Sequence, residues 1–350
     1  MRVGGVGQPA AGGLLAPAEW TSDDGAHWLR RQVEPVSLDG AADRLLGVAR
    51  YANTAAAVGV TFNHNEGVAR PSGWASRAGE PLREARANRE LFGGPAGIGV
   101  SGVGAGPLGL AILGARNGSD NHLFIAVWRS GDGQAWLPPR QDPALTARPA
   151  EAPAALGVAV GSNAIVVGGR TVQVNDPSDG VIWTGVATAP VAGSALANPA
   201  APLRWQRVDP AAAGLGGTGT QEVDRVAWTG SGFVAAGLSG QPGKLHLVAW
   251  TSRDGLTWSR GGEAPQAGVD RLTSLSADGS GLLAAGTAGS TACLWRSRDG
   301  RAWTADPLPR DAARLPGLQG AFAATGTGRT LVILQGQGRA EVWSHASGRD

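Results

Sequence analysis

Three arginines are placed where they could meet an anion. Arg44, Arg225 and Arg271 each follow an aspartate, and each opens a short apolar run. A guanidinium is a fixed fork of donors that matches a carboxylate or sulfate, so three brought to one mouth would bind such a group. The same Asp-Arg pair is equally readable as a repeat element, each arginine pairing with a neighbouring unit or lying on an indole face. Polar stretches supply a second set: Asn63-His64-Asn65-Glu66, Arg116 to His122 with Asp120 inside it, and Asn175-Asp176-Pro-Ser-Asp179. Glu66, Asp120, Asp176 and Asp179 are carboxylates of the kind glycoside hydrolysis uses in pairs about 5–10 Å apart. Spacing selects no such pair, and Asn63 and His64 beside them are also what any solvated loop carries.

Other chemistries find little support. His27, His64, His122, His246 and His345 are scattered without metal-ligand spacing, and Asp176 with Asp179 falls short of the oxygens a calcium ion takes, so no metal is expected. Gly102-Val-Gly-Ala-Gly106 has no helix after it to cradle phosphate, and no cofactor is expected. Cys293, the single cysteine, lies beside Leu294 in an apolar run and reads as a small buried hydrophobe. The formal charge is +2 with Lys244 the only lysine, and without a basic stripe no nucleic-acid partner is expected. No stretch is long and apolar enough to cross a bilayer as a helix.

The elements that must hold these residues are written in a nine-residue phrase: Trp20-Thr-Ser-Asp-Asp24-Gly25-Ala-His-Trp28, with Trp128, Asp132, Gly133 and Trp136, then Trp250, Asp254, Gly255 and Trp258, then Trp295, Asp299, Gly300 and Trp303 in the same places. Asp-Gly between apolar stretches is a hairpin signal, because glycine supplies positive φ and aspartate bonds the turn's own backbone. The two indoles of each phrase should lie near each other across the hairpin. Trp74 begins a degenerate copy with Ala78 for the acid and Leu82 for the second indole; Trp183, returning at Trp205, and Trp343 begin two more. Upstream of each phrase lies an apolar run closed by glycine, as in Phe233 to Gly237 and Leu282 to Gly286, and before that another run, often led by Asp-Arg. Four short antiparallel strands per unit, repeated, is the pattern of a β-propeller.

The expected fold is therefore all-β, a single propeller of about seven four-stranded blades near 1–34, 35–92, 93–148, 149–212, 213–265, 266–314 and 315–350, the first and last incomplete. A short helical turn is conceivable only near Arg83 to Leu91. The glycine and proline content, 56 and 22 residues, fits turns rather than disorder because apolar runs recur between them. The start and the end inside a blade leave two readings, that the two ends complete one another around the ring or, the favoured one, that this is a piece of a longer exported protein.

The phrases resemble the Asp-box, or BNR, repeat, which sits on the turn between the third and fourth blade strands of sialidases and many non-enzymatic relatives. Thr21, Asp23, Gly25 and Trp28 fit its pattern of Ser/Thr-x-Asp-x-Gly-x-Thr-Trp, whereas Asp132, Asp254 and Asp299 stand directly before their glycine. The chain is also similar to Trp-Thr-Ser-x-Asp-Gly repeat proteins of the envelope of high-GC bacteria. Sialidases use an arginine triad, a tyrosine nucleophile with its glutamate, and an acid/base aspartate. Here Tyr51 is the sole tyrosine and comes early, and Arg70-Pro71 lacks the isoleucine of the family's Arg-Ile-Pro. The resemblance implies a sialidase-like propeller without that catalytic set: a monomeric binding or scaffolding module, at the cell envelope or outside the cell, with a protein or glycan partner. The alternative it leaves is an exo-sialidase-like glycoside hydrolase.

Overall fold

The structure, a computed structural model, describes residues 2–9, 15–24, 27–33, 43–63, 68–77, 80–85, 91–92, 97–173, 178–188, 202–278, 280–308, 318, 320–326, 329–336 and 339–346. The strands fall into seven antiparallel sheets, each made from a consecutive stretch of chain. The first holds β1 (Arg2–Pro9), β2 (Leu15–Thr21) and β3 (Leu29–Gln32). The second holds β4 (Asp43–Tyr51), β5 (Thr54–Asn63), β6 (Val68–Arg77) and β7 (Arg83–Glu84). The third holds β8 (Gly97–Gly106), β9 (Gly109–Asn117), β10 (Leu123–Ser130) and β11 (Trp136–Leu137).

The fourth sheet holds β12 (Glu151–Val160), β13 (Ala164–Gln173), β14 (Asp179–Ala187) and β15 (Leu203–Arg207). A single helical turn follows, α1 (Pro210–Ala213), with the Asp209 side chain capping the amide of Ala211. In the fifth sheet, β16 (Thr220–Gln221) and β17 (Arg225–Trp228) both pair with β18 (Phe233–Gln241), which leads to β19 (Lys244–Ser252) and β20 (Ser259–Ala267). The sixth holds β21 (Arg271–Asp278), β22 (Gly281–Ala288), β23 (Thr291–Ser297) and β24 (Thr304–Ala305). The seventh holds β25 (Gly320–Gly326), β26 (Arg329–Gly336) and β27 (Arg339–Ala346).

An all-β chain of such antiparallel sheets, four of the seven four-stranded and the others of three or five strands, is a β-propeller. It divides into two compact units, one of Met1–Pro149, Gly157–Ile165 and Gly185–Gln206, the other of Ala150–Leu156, Val166–Thr184 and Arg207–Asp350. Among the described residues no helix is long and apolar enough to cross a membrane.

Alternation of side chains along each strand places successive residues in two different cores. On β22, Leu282 and Ala284 join a core with Val234, Leu247, Trp295 and Trp303, while Leu283 and Ala285 face Ala321, Val332 and Leu334 of the seventh sheet. On β5, Ala56 and Val58 meet Ile112, Trp128 and Trp136, while Ala57 meets Trp74 and Leu82. Each small residue of the second strand thus leaves room for indoles. Trp74, Trp128, Trp250 and Trp295 are fully buried, each contributing about 4–6 kcal/mol by buried area. Trp295 and Trp303 share one core, and Trp128 and Trp136 share another, where Phe92 packs on both at 5.3 and 5.9 Å. Leu82 takes the second indole's place in the degenerate copy, fully buried beside Trp74. Cys293 is buried in the same core as Trp295.

The first strands of several sheets carry a bulge, one extra residue against the partner strand. It is Leu46 in β4, between the pairs Leu45–Gly59 and Gly47–Val58. In β21 it is Thr273, between Leu272–Gly286 and Ser274–Ala285. The fifth sheet has its irregularity between β16 and β17: Gln221 pairs with Ser239 and Arg225 with Ala236, so four steps on one strand oppose three on the other.

Candidate functional site

The registers change the alignment of the three arginines. Arg44 pairs with Val60, the residue after Gly59, and Arg271 pairs with Thr287, the residue after Gly286. The carbonyl of Arg271 lies against the α-carbon of Gly286, and the carbonyl that lies against Gly237 in the same way is that of Glu222. Arg225 instead pairs with Ala236, the level held by Gly47 in β4 and Ser274 in β21. The reading of Arg44, Arg225 and Arg271 as equivalent is therefore corrected: Glu222 stands where Arg44 and Arg271 stand, and Arg225 lies three residues further along. The side chain of Arg44 lies outside the described residues.

From that position the half-buried Arg225 reaches three first strands at once. Its Nε donates to the carbonyl of Thr273 at 2.8 Å, and its Nη1 to those of Asp224 at 2.7 Å and Leu156 at 3.3 Å. Thr273 is the bulge residue of β21, and Asp224 lies in the irregularity before β17. Leu156 lies two residues beyond Ala154, whose carbonyl abuts Gly169 as that of Glu222 abuts Gly237. The guanidinium is thus pinned by neutral carbonyls from three successive sheets. Burial pushes its pKa down; Asp224 opposes this and the nearby charge of Arg271 adds to it. Arg271 itself is exposed and has no ion-pair partner among the described residues.

Around this guanidinium lie groups that a search for isolated motifs passes over. Asp224 is 8 % exposed, and its Oδ2 has no hydrogen-bond partner among the described residues. Burial above all, then the neighbouring carboxylate of Glu222, pushes Asp224 up to about 7, against the opposing pull of Arg225 and Arg170. Arg170 of β13 pairs with Glu222 through Nη1 and Oε1, and the Ser178 hydroxyl donates to the same oxygen at 3.3 Å. A spacing signal for Glu222 is present in the sequence. Arg44 to Gly59, Arg271 to Gly286 and Glu222 to Gly237 are each fifteen residues, whereas Arg225 to Gly237 is twelve.

The Asp-Gly turns are built for holding backbone. Asp132 Oδ1 accepts the amides of Gln134 and Ala135, both at 2.9 Å, the Ser130 hydroxyl accepts the amide of Gly133 at 2.8 Å, and the Trp136 indole donates to the Gly133 carbonyl at 2.7 Å. Asp254 repeats this with Leu256 and Thr257, Ser252 with Gly255, and Trp258 with the Gly255 carbonyl. In the sixth sheet the roles fall to Asp299, Ser297 and Trp303, bonded to the turn at Gly300. In the first phrase Asp24, not Asp23, accepts the amide of His27 at 2.8 Å, so the acid next to the glycine does the work in all four; Gly25 lies outside the described residues. Burial raises the pKa of Asp132 and of Asp254, but the amides and serine hydroxyls outweigh it and both end low; in Asp299 the amide of Arg301 is the leading cause.

The three described turn glycines also dock on the sheet before them. A methyl group on Gly133 would meet Ala75 at 2.5 Å; on Gly255, Val166 at 2.8 Å and Thr184 at 3.1 Å; on Gly300, Thr251 and Val234 at 3.0 Å. Ala75, Thr184 and Thr251 are in every case the residue after the leading indole of the preceding phrase. The Thr184 hydroxyl donates to the Gly255 carbonyl across this contact.

Of the loop candidates, Asp120 is described in full. Its carboxylate takes the Gln141 amide on both oxygens at 3.0 Å, the His122 amide at 3.1 Å and the His122 ring at 3.2 Å, and it is lowered to about 2, chiefly by Gln141. This staples two loops together. Asp179 opens β14, half-buried. Asn63 ends β5 paired with Val68, its side chain outside the described residues, as are His64, Glu66 and Asp176 altogether. Among the described residues no group of three metal-ligating side chains is present.

No protein-family model matches the chain, and no curated protein matches it. Solved structures similar in fold include a Pyrococcus horikoshii acylaminoacyl peptidase, 11% identical over 87% of this chain and 44% of that one, TM-score 0.47. The fucose-specific lectin from Aleuria aurantia is 15% identical over 87% of this chain and 91% of that one, TM-score 0.47. A Trypanosoma rangeli sialidase is 16% identical over 76% and 47%, TM-score 0.47. The chain spans less than half the length of the peptidases it matches.

Proposed function

We propose that this chain is a non-catalytic binding or scaffolding propeller, working at the cell envelope or outside the cell, and that its four acid-glycine turns are Asp-box turns with the acid directly before the glycine. The observation that carries the reading is where the acids of the Asp-Gly turns and of the Asp120 loop are spent. Asp132, Asp254 and Asp299 accept main-chain amides, and Asp120 staples its loop to that of Gln141. Carboxylates engaged in this way are positioned for rigidity rather than for proton transfer to a substrate.

The test is a glycan array probed with the purified chain, run beside a screen of chromogenic glycosides that includes sialosides. Selective binding without turnover is the expected result. Turnover that disappears when Glu66, Asp120, Asp176 or Asp179 is changed to alanine would overturn the reading in favour of a glycoside hydrolase. A blank array from a folded protein would turn the search to protein partners.

A further inference from the structure

We propose that Asn117-Gly118, in the loop between β9 and β10, is a site of spontaneous deamidation, and that the staple of Asp120 and Gln141 sets its rate. No other asparagine in the chain is followed by glycine. The reaction needs no enzyme and no bound cofactor, only water. The Gly118 amide nitrogen, giving up its proton to solvent, attacks Cγ of the Asn117 side chain. The bond from Cγ to Nδ2 breaks and ammonia leaves, so a cyclic succinimide joins the two residues. Water then opens either carbonyl of the ring, leaving aspartate or, where the main chain now runs through Cβ, isoaspartate. Glycine permits the attack because no Cβ shields its nitrogen from the side chain before it.

The fold both creates this pair and restrains it. Asn117 ends β9 opposite Leu123 of β10, exposed, and its carboxamide has no partner among the described residues. The carbon to be attacked is therefore open to solvent. Glycine at 118 is demanded by the staple, since a methyl group there would collide with the side-chain oxygen of Gln141 and meet Asp120 Oδ1 at 2.7 Å. Any larger residue would push Gln141 off the carboxylate that its amide bridges at 3.0 Å. The attacking nitrogen, by contrast, is held. The Gly118 amide donates to the His122 carbonyl at 2.9 Å, the Asn121 amide to the Gly118 carbonyl at 3.1 Å, and the His122 amide to Asp120 Oδ1 at 3.1 Å. A nitrogen committed in this way turns toward Cγ only when the loop opens, and opening breaks the staple with it. The product sets a carboxylate three residues before Asp120 where an amide stood. Isoaspartate also lengthens the main chain by a carbon at the last pair of the β9 and β10 ladder.

The experiment ages the full chain at mildly alkaline pH and follows the peptide that contains Asn117 by mass spectrometry that separates asparagine, aspartate and isoaspartate. It compares the wild type, Gln141→Ala and Gly255→Ala, with the wild type in urea as the unprotected reference. The reaction should be fastest in urea and slowest in the folded wild type. Gln141→Ala should run faster than the folded wild type by about fivefold, the worth of the hydrogen bonds that it removes. Gly255→Ala, which crowds a turn of the fifth sheet and leaves the loop intact, should match the wild type. Should Gln141→Ala not fold, Asp120→Asn takes its place, keeping the size of the side chain while setting an amide against that of Gln141. Equal rates in the wild type and the staple variant overturn the restraint. An equal acceleration in Gly255→Ala overturns it as well, by assigning the protection to global stability. No aspartate or isoaspartate at 117 in any folded protein, by the time the unfolded chain has fully reacted, overturns the site.

Discussion

Gly255 and Gly243 have nearly the same backbone conformation, φ +78° and +76°, and opposite surroundings. A methyl group on Gly243 meets nothing within 4 Å, whereas on Gly255 it meets Val166 at 2.8 Å and Thr184 at 3.1 Å. An alanine at either place bears the left-handed strain of about 1–2 kcal/mol, partly offset by the about 0.4–1 kcal/mol that alanine removes from unfolded-chain entropy. Only at Gly255 does overpacking add about 1–3 kcal/mol. Because the strain and entropy contributions are common, Gly255→Ala should be less stable than Gly243→Ala by about 1–3 kcal/mol, all of it from the docking of a turn on the preceding sheet. Urea unfolding followed by tryptophan fluorescence measures the difference, with the slope of the transition checked for constancy. Equal losses in the two variants would refute the docking, since positive φ alone would then explain both.

Two further outcomes concern acids with opposite shifts. Asp224 is raised to about 7 in the folded chain from an ordinary value of 3.8, so its contribution to stability is complete in acid and is lost as pH rises from about 4 to about 7. Asp224→Asn should remove that decline and stabilise the chain at pH 8 by at most about 4 kcal/mol, and a pH series of melting temperatures in which the two proteins run parallel would count against it. Asp254 is lowered, so its contribution is present above about pH 4 and disappears as pH falls through the folded value. Asp254→Ala should lose about 1–2 kcal/mol at pH 7 by orphaning two amides and a hydroxyl, and the gap from wild type should narrow below pH 4 in the same melts.

The hairpins were legible because their signals are local. Asp-Gly, the paired tryptophans and the glycine that closes each second strand act within a few residues, and Leu82 could be recognised as a stand-in from its place alone. The first strands were harder to read. A bulge shifts register by one residue without any composition of its own, and Leu46, Thr273 and the stretch before Arg225 share no residue type. The Asp-Arg pair invited an alignment that the distance to the closing glycine contradicts, and so hid Glu222. The burial of Asp224 depends on what neighbouring sheets place over it. No pattern within its own strand encodes that.

The contact of Gly133, Gly255 and Gly300 with the residue after the preceding indole has a consequence for how such a chain can lengthen. One unit carries a plug, the glycine turn, and a socket, the small residue after its leading tryptophan: alanine at 75, threonine at 184 and 251. The Trp250 unit, which has both Gly255 and Thr251, would arrive already fitted to its own copy at both ends, whereas Arg129 and Arg296 fill the socket position of the Trp128 and Trp295 units. The degenerate second copy kept the socket at Ala75 while its own acid-glycine phrase became Ala78-Gly79. Drift is thus tolerated one half at a time at this junction.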